Sequence, residues 1–481
     1  MRWSVALHVT GLILVCVGLC MLVPLACGWY YDDSSVAPLF LSLCVTVLTG
    51  FFLMFQFRRP GPMVINHREG MVIVSLGWAA CGFFGALPFA LGDFPSFTDA
   101  YFESVSGFTT TGASILTNIE VLPKGLLMWR SLTHWLGGMG IIVMAIAILP
   151  FLGVGGMQLY KAEVPGPVAD KLQPRIKDTA MSLWKVYVLL TAVQVVLLLF
   201  GGMDLFDSVC HAFGTMATGG FSTRNASVAA YGSAYIDYVI SFFMLAASLN
   251  FALHFQLFRG RPLVLWRDPE FRFFGVLTAA LTLFVVLSIR FTNYPSWADA
   301  ARYGVFQVAS IISTTGFATA DYELWGPLPQ GILLLCMFVG GCAGSTAGGI
   351  KSMRVMLLFK HAYRELFRMV HPRAVLPIKF GPKLVKEEVL ASIWGFFVLF
   401  IALFVLSSLA LAALGVDVLT SFSAVVACIG NVGPGLGEVG PVDNYARIPL
   451  LGKWVLIFCM LLGRLEIYTV LVLFIPEFWR K

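Results

Sequence analysis

Charged residues are scarce in this sequence. Only 12% of its 481 residues are Asp, Glu, Lys or Arg, whereas 58% are hydrophobic and the mean hydropathy is +0.85. Soluble proteins carry roughly 25% charged residues. The shortage of charge excludes a water-soluble globular fold and indicates a polytopic membrane protein surrounded by lipid.

Motifs for catalysis, redox chemistry or resident metals are also lacking. The ten cysteines form no CxxC pair and no Cys/His cluster, and nearly all lie inside apolar segments, as small buried residues do. His134, His211 and His254 have no partner at helical spacing, which argues against a proton relay. Because no cluster of His, Asp or Ser lies near one membrane face, we expect no enzyme, no organic cofactor and no nucleic-acid partner.

Long apolar segments are abundant instead. A helix needs about 20 apolar residues to cross a bilayer, and ten windows meet that length. They are 5–27, 38–57, 71–91, 124–150, 179–201, 233–257, 273–290, 328–350, 389–414 and 450–475. The first is too long for a signal peptide, so we keep it as a span.

Charge is distributed unevenly between the connections. With the amino terminus inside, most of the 32 Lys and Arg fall in inner connections, nine of them between Lys351 and Lys386. That basic stretch is a candidate surface for an acidic partner or ring protein, although topology alone also accounts for its charge. The outer connections are mostly acidic, which would concentrate cations, unless Asp and Glu are merely tolerated there.

Four windows about 100 residues apart resemble one another. They read ESVSGFTTTGAS (103–114), HAFGTMATGGFST (211–223), VASIISTTGFAT (308–319) and SAVVACIGNVGPG (423–435), and we align them on Gly112, Gly219, Gly316 and Gly433. Each follows one full span and precedes another. A helix of about 12 residues covers only about 18 Å, so it must re-enter the membrane instead of crossing it.

The repeat predicts a cation pathway. Since every unit holds two full spans, all four units have the same orientation and are parallel about one axis along the membrane normal. Carbonyl groups of non-helical backbone at membrane depth need a partner, and a dehydrated monovalent cation supplies one. A single Gly/Thr cluster would be interpreted as a site where two helices pack closely. Four such clusters at matching spacing favour the cation pathway.

The sequence also resembles a known family. WRSLTHWLGGMGIIVMAI (129–146), STTGFATADY (313–322), GGCAGSTAGGIKSMR (340–354), GNVGPGLG (430–437) and LLGRLEIYTVL (461–471) resemble TrkH-type membrane subunits of the Trk/Ktr/HKT superfamily of potassium transporters. The resemblance covers essentially the whole chain. It implies potassium as the transported ion, the bacterial inner membrane, a homodimer in membrane lipid, and gating by a cytoplasmic nucleotide-binding ring protein of the TrkA type.

The resemblance implies a fold and a set of ion-binding residues. The expected fold is all-α, with four M1-P-M2 units around a pseudo-fourfold pore and two extra N-terminal helices. The expected divisions are 1–60 for the N-terminal hairpin, then 61–160, 161–265, 266–380 and 381–481 for the units. The expected filter residues are Thr110, Thr111, Gly112, Thr218, Gly219, Thr314, Thr315, Gly316, Asn431, Val432 and Gly433.

A gate is predicted below the filter. The span after the third window is interrupted by GGCAGSTAGG (340–349), a composition that disfavours a straight helix, and we call this segment the intramembrane loop. Its predicted gate residues, with one lysine and one arginine beyond it, are Gly340, Gly341, Ala343, Gly344, Ser345, Thr346, Ala347, Gly348, Gly349, Lys351 and Arg464. Arg464 lies deep in the last span, where it would donate to loop carbonyls as a latch or snorkel to the interface beside Glu466.

Two alternatives remain for the function of these segments. A symporter coupling potassium to sodium or protons would need a titratable carboxylate inside a full span, and apart from Glu466 we find none. A phosphate-binding loop at GSTAGGIKS (344–352) is disfavoured, because Ile350 separates Gly from Lys and no parallel-sheet context precedes it. The sequence therefore favours a channel-like potassium conduit.

Overall fold

The computed structural model describes residues 2–58, 66–92, 94–140 and 176–480. Helices dominate those ranges, and the strands there are two short pairs. Val339–Gly340 runs parallel to Ile350–Lys351, and Lys379–Phe380 runs antiparallel to Lys383–Leu384. The all-α prediction is confirmed.

Six helices in the described ranges are long and apolar enough to cross a membrane. They are Trp3–Tyr30, Val36–Gln56, Arg68–Ala90, Ala180–Phe200, Pro269–Thr292 and Glu387–Ala413. The first contains a one-residue break between Trp3–Cys20 and Leu22–Tyr30. These six agree with the six predicted first spans and N-terminal spans.

The two N-terminal helices pack through glycine. A methyl group on Gly11 would lie 2.7 Å from the carbonyl oxygen of Gly50, and one on Gly50 would lie 2.8 Å from that of Gly11. Small residues that let two backbones approach are the usual contact between membrane helices. The predicted N-terminal hairpin is therefore a close-packed pair.

Four shorter helices follow the first span of each unit. They are Phe97–Phe108, Leu205–Met216, Trp297–Ile312 and Val418–Ile429, and we call them the half-helices. Their N-caps are Ser96, Asp204, Ser296 and Asp417, each of which accepts a backbone N–H. Three have 12 residues and the third has 16, all too short to cross.

The prediction that the second spans of the second and fourth units are continuous helices is wrong. In the second unit, Ala234–Ala247 and Phe251–Phe258 meet at 104°, and in the fourth, Leu450–Arg464 and the following helix meet at 115°. In the third unit the predicted interruption is confirmed, because Pro327–Cys336 ends at the intramembrane loop and Ser352–Val370 begins after it. The first unit has Lys124–Trp135 and then a π-helical turn, Leu136–Gly140. The rest of its predicted span lies outside the described residues.

The remaining helical segments in the described part of the chain are short. They are Leu263–Arg267, Ile467–Leu471 and Pro476–Trp479, with 3₁₀ turns at Ser227–Tyr231, Tyr322–Leu324, Gly437–Val439, Tyr445–Arg447 and Val472–Phe474. One apolar core joins the first and fourth units, since Phe102 and Trp129 pack in the same cluster as Val425 and Met460. The end of the chain thus packs against its beginning, and the four units close around a centre.

Candidate functional site

Each half-helix ends in the same hydrogen-bonded turn. In all four, one N–H donates to the carbonyl three residues back and the next N–H donates to the carbonyl five residues back, at 2.8–3.2 Å. The donor pairs are Thr110 and Thr111, Thr218 and Gly219, Thr314 and Thr315, and Asn431 and Val432. This is the Schellman motif, and its recurrence shows that the four units are structural repeats.

The first residue of each turn is left-handed although none of the four is glycine. Its φ lies between 53° and 56° at Thr110, Thr218, Thr314 and Asn431. Glycine normally fills this place, because a side chain in the left-handed region costs roughly 1–2 kcal/mol. Backbone strain kept at equivalent positions is typical of functional sites.

A glycine two residues later joins the four turns into a ring. Its φ lies between 79° and 101° at Gly112, Gly220, Gly316 and Gly433. A methyl group on each would collide with a carbonyl oxygen of the next unit: Gly112 with Gly219, Gly220 with Thr315, Gly316 with Val432, and Gly433 with Thr111. Because the last contact returns to the first unit, these residues surround one axis. We call residues 110–112, 218–220, 314–316 and 431–433 the glycine ring.

The alignment on Gly219 is one residue out. Gly220, not Gly219, has the positive φ and the position equivalent to Gly112. Gly219 is the middle residue, equivalent to Thr111, and its neighbour Thr218 matches Thr110. Two adjacent glycines made the register ambiguous in the sequence, whereas counting from Thr218 would have resolved it. All the other residues expected in the filter lie in the ring at the expected register.

The side chains of the ring are held by neighbours in the protein interior. The Asn431 amide Nδ2 donates to Thr111 Oγ1 and to the carbonyl of Met460, both at 3.0 Å. From the other side, the Tyr445 hydroxyl donates to the carbonyl of Gly433 at 2.7 Å. Thr110 Oγ1 is buried and has no hydrogen-bond partner among the described residues. Asn431 Oδ1 likewise has no such partner, so hydrogen bonds hold the ring in place and leave two of its buried side-chain oxygens unpaired among the described residues.

The intramembrane loop lies directly against the glycine ring. Gly348 N–H donates to Thr314 Oγ1 at 2.7 Å, and Thr346 Oγ1 donates to the carbonyl of Met216 at 3.1 Å. A methyl group on Gly348 would collide with the carbonyl oxygen of Gly430. A loop of the third unit therefore touches the helix ends of the second, third and fourth units.

The ends of the loop are tied to its surroundings. Glu270 Oε1 accepts the N–H of Ala343 at 2.8 Å and that of Met353 at 2.9 Å. Lys351 is buried, and its Nζ donates to the carbonyl of Ala347. Glu270 was missed from the sequence, because an acid in the first turn of a helix reads as an ordinary N-terminal residue.

The other predicted loop residues shape the turn itself. Gly340 accepts a hydrogen bond from the Ser352 hydroxyl at 2.7 Å, and Gly341 accepts one from the Ser352 N–H at 3.1 Å. Gly344 and Gly349 have φ of 77° and 64°, a conformation that glycine adopts readily. Ser345 donates to the carbonyl of Cys342 at 2.6 Å.

Arg464 makes the contact with the loop that its depth predicts. Its Nη1 donates to the carbonyl of Thr346 at 2.7 Å, and its Nη2 donates to the carbonyls of Gly137 and Gly138 at 2.6 and 2.9 Å. Those two glycines lie in the π-helical turn of the first unit. One guanidinium thus joins the fourth, third and first units beside the ring.

Glu466, two residues later, does not pair with Arg464. It has φ of 58° at the bend of the fourth unit and forms an ion pair with Arg354 at 2.6 Å. The alternative prediction had Arg464 snorkel to the membrane interface beside Glu466. Instead, Arg464 donates to backbone carbonyls and Glu466 pairs with Arg354.

Comparison with known proteins gives one consistent answer. A family model for TrkH, described as a cation transport protein, matches residues 39–481. The Trk system potassium uptake protein TrkH of Salmonella typhimurium is 45% identical over 100% of both chains. The Trk system potassium uptake protein TrkG of Escherichia coli is 36% identical over 99% of each.

A solved structure agrees with the sequence relatives. The crystal structure of the potassium transporter TrkH from Vibrio parahaemolyticus matches with a TM-score of 0.90 and 40% identity, covering 100% of both chains. Identity at this level over the full length shows common descent as well as a common fold. This chain is a multi-pass membrane protein that belongs to the TrkH family of cation transport proteins.

Proposed function

We propose that this chain takes up potassium ions across the bacterial inner membrane through the glycine ring, as a channel-like pore. The closed circle of glycine-to-carbonyl contacts carries the proposal. Backbone carbonyls at membrane depth are stable where they meet a ligand, and a ring of them replaces the hydration shell of an alkali cation. The half-helices end at the ring, so their negative ends favour a cation there. The similar proteins named for potassium uptake support the choice of ion.

Competing fluxes in proteoliposomes test this function. We expect potassium and rubidium to compete, and sodium and lithium to compete weakly, because the ring is sized by backbone contacts. Discrimination should be weaker than in TVGYG potassium channels, since this ring lacks their second glycine and tyrosine. Equal flux of sodium and potassium would contradict the proposal. Potassium flux that requires a sodium or proton gradient would favour the symporter instead.

We propose further that the intramembrane loop is the gate and Arg464 its latch. The helix Ser352–Val370 continues directly from the loop and exposes Phe359, Tyr363 and Leu366. A protein bound to that helix would pull on the loop. We propose a TrkA-type cytoplasmic ring protein as the occupant of this surface, and a homodimer as the assembly of this chain in the membrane. We propose that the N-terminal hairpin and the four units are divided after residues 60, 160, 265 and 380.

One hydroxyl connects the gate to the ring, and its removal should loosen the gate. In Thr314→Val, the buried N–H of Gly348 loses its acceptor, which costs about 1–3 kcal/mol. We expect closed-state potassium flux to rise by about fivefold to a hundredfold, the change in the open population that this free energy produces. Thr110→Val is the matched control, because Thr110 occupies the equivalent ring position and its Oγ1 has no hydrogen-bond partner among the described residues. A rise of equal size in both variants would contradict a specific link.

A further inference from the structure

We infer that Arg130 and His134 are positioning residues that hold the second glycine loop in place and thereby set the ion selectivity of the ring. Both side chains come from Lys124–Trp135, the second helix of the first unit. The loop that they hold, residues 218–222, belongs to the second unit. The inference rests on the proposed function, because it assigns a determinant of selectivity to that same ring.

The two side chains both contact one aromatic ring. Phe221, which follows Gly220, is fully buried. The guanidinium carbon of Arg130 lies 3.7 Å from the centroid of the Phe221 ring. The imidazole of His134 stacks on Phe221 with the ring centroids 4.0 Å apart and the planes 29° apart. Cation–π and stacking contacts of this kind fix the position of an aromatic ring.

Hydrogen bonds to the backbone fix the same loop. Arg130 Nη1 donates to the carbonyl of Ser222 at 2.7 Å, and Phe221 N–H donates to His134 Nε2 at 3.2 Å. A methyl group on Gly219 would collide with the His134 imidazole, so the helix also fits closely against the ring backbone. The carbonyl of Gly219 is the one that Gly112 touches in the ring.

The helix is in turn tied to the first half-helix. Arg130 Nε donates to Glu103 Oε1 at 2.6 Å, and His134 Nδ1 donates to the carbonyl of Gly107 at 2.8 Å. Because Nε2 accepts the Phe221 N–H, the imidazole is the neutral tautomer with its proton on Nδ1. Each side chain therefore makes one of these hydrogen bonds with the first unit and one with the second.

The buried Arg130–Glu103 ion pair costs desolvation free energy, which suggests that it has a role beyond stability. The Arg130 and Glu103 side chains are 2% and 0% exposed, and burying an ion pair often stabilises a protein less than apolar residues of the same volume would. What a planar guanidinium adds is direction, since it donates to two acceptors at fixed angles while stacking on a ring. The position of the Gly219 and Gly220 carbonyls depends on those angles, and a cation filter discriminates through the placement of its carbonyls.

Arg130→Lys tests the inference, with Phe221→Leu as a second variant. Lysine keeps the charge beside Glu103 but is a point donor that cannot stack and donate as the guanidinium does. Leucine removes the aromatic faces and keeps the arginine. In reconstituted protein we expect the potassium-to-sodium flux ratio to fall on the order of tenfold in each, because Arg130→Lys weakens a charge-assisted hydrogen bond and Phe221→Leu loses the stacking and cation–π contacts. The elution volume of the purified protein should not change.

The matched control is Lys453→Arg. Lys453 forms the other buried ion pair described for the first half-helix, with Asp99 at 2.6 Å, and neither residue contacts the glycine ring through a described hydrogen bond. Its flux ratio should stay at the wild-type value whatever happens to its melting temperature. Wild-type ratios in both Arg130→Lys and Phe221→Leu would overturn the inference. If Arg130→Lys fails to fold, the ratio in Phe221→Leu decides. If the wild-type protein itself does not discriminate between potassium and sodium, that result would instead contradict the proposed function.

Discussion

Arg464→Ala should raise potassium flux in the absence of any regulator by at least about tenfold. The guanidinium makes three hydrogen bonds to backbone carbonyls, and each hydrogen bond to a charged group contributes about 1.5–3 kcal/mol. Losing even one of them shifts the equilibrium between closed and open loop by an order of magnitude. Flux into proteoliposomes that contain the purified chain alone is the measurement. Deletion of 343–348 should give the same result, because it removes the latched segment itself.

Two further variants separate the latch from simpler effects. Arg464→Lys keeps the positive charge and loses the three-way geometry, so it should leak if donors hold the gate and remain tight if charge alone repels the ion. Arg302→Ala removes another mostly buried arginine, whose ion pair with Asp237 at 2.6 Å does not involve the loop. It should leave closed-state flux unchanged. A tight Arg464→Ala protein would refute the latch.

Gly316→Ala should abolish potassium uptake while the protein still folds. The new methyl group would meet the carbonyl oxygen of Val432, and φ at this position is 84°. The strain alone costs roughly 1–2 kcal/mol, and the collision forces a ring carbonyl to move. We expect uptake to fall by more than about tenfold, the equivalent of about 1.4 kcal/mol, if the ring is the proposed ion pathway. Growth of a potassium-uptake-deficient bacterium on low potassium, with flux in vesicles, is the measurement.

The chain offers a control that isolates the strain from the collision. Gly202 and Gly415 have φ of 91° and 88°, yet a methyl group on either would meet no atom within 4 Å. Gly202→Ala and Gly415→Ala should therefore lower the melting temperature without loss of uptake. If Gly316→Ala behaves like these two, the ring does not lie on the ion pathway.

The helical frame was predictable because its signals are local. Apolar length identifies the full spans, and the short acid-flanked runs before glycine identify the half-helices. The bends near Ser248 and Glu466 were missed because they depend on contacts with segments that are distant in the sequence. Cys342 N–H donates to the carbonyl of Ser248, and a methyl group on Gly463 would collide with the carbonyl of Ile429. A hydropathy window cannot see a partner more than 30 residues away.

The candidate site was predictable in composition and less so in its connections. The depth of Arg464 predicted a carbonyl partner in the loop, and Thr346 is that partner. Its second contact, with Gly137 and Gly138, depends on a π-helical turn that the sequence does not signal. Arg130 was passed over because it lies near a predicted span end, where arginine usually needs no explanation.

The closed circle of four unlike loops belongs to a single polypeptide. In a homotetramer any substitution appears at every corner at once, whereas here one codon alters one quadrant and leaves three intact. Natural variation can therefore change the ring one loop at a time. The fourth loop is already such a case, because it has Asn431 and Val432 where the first and third loops have two threonines.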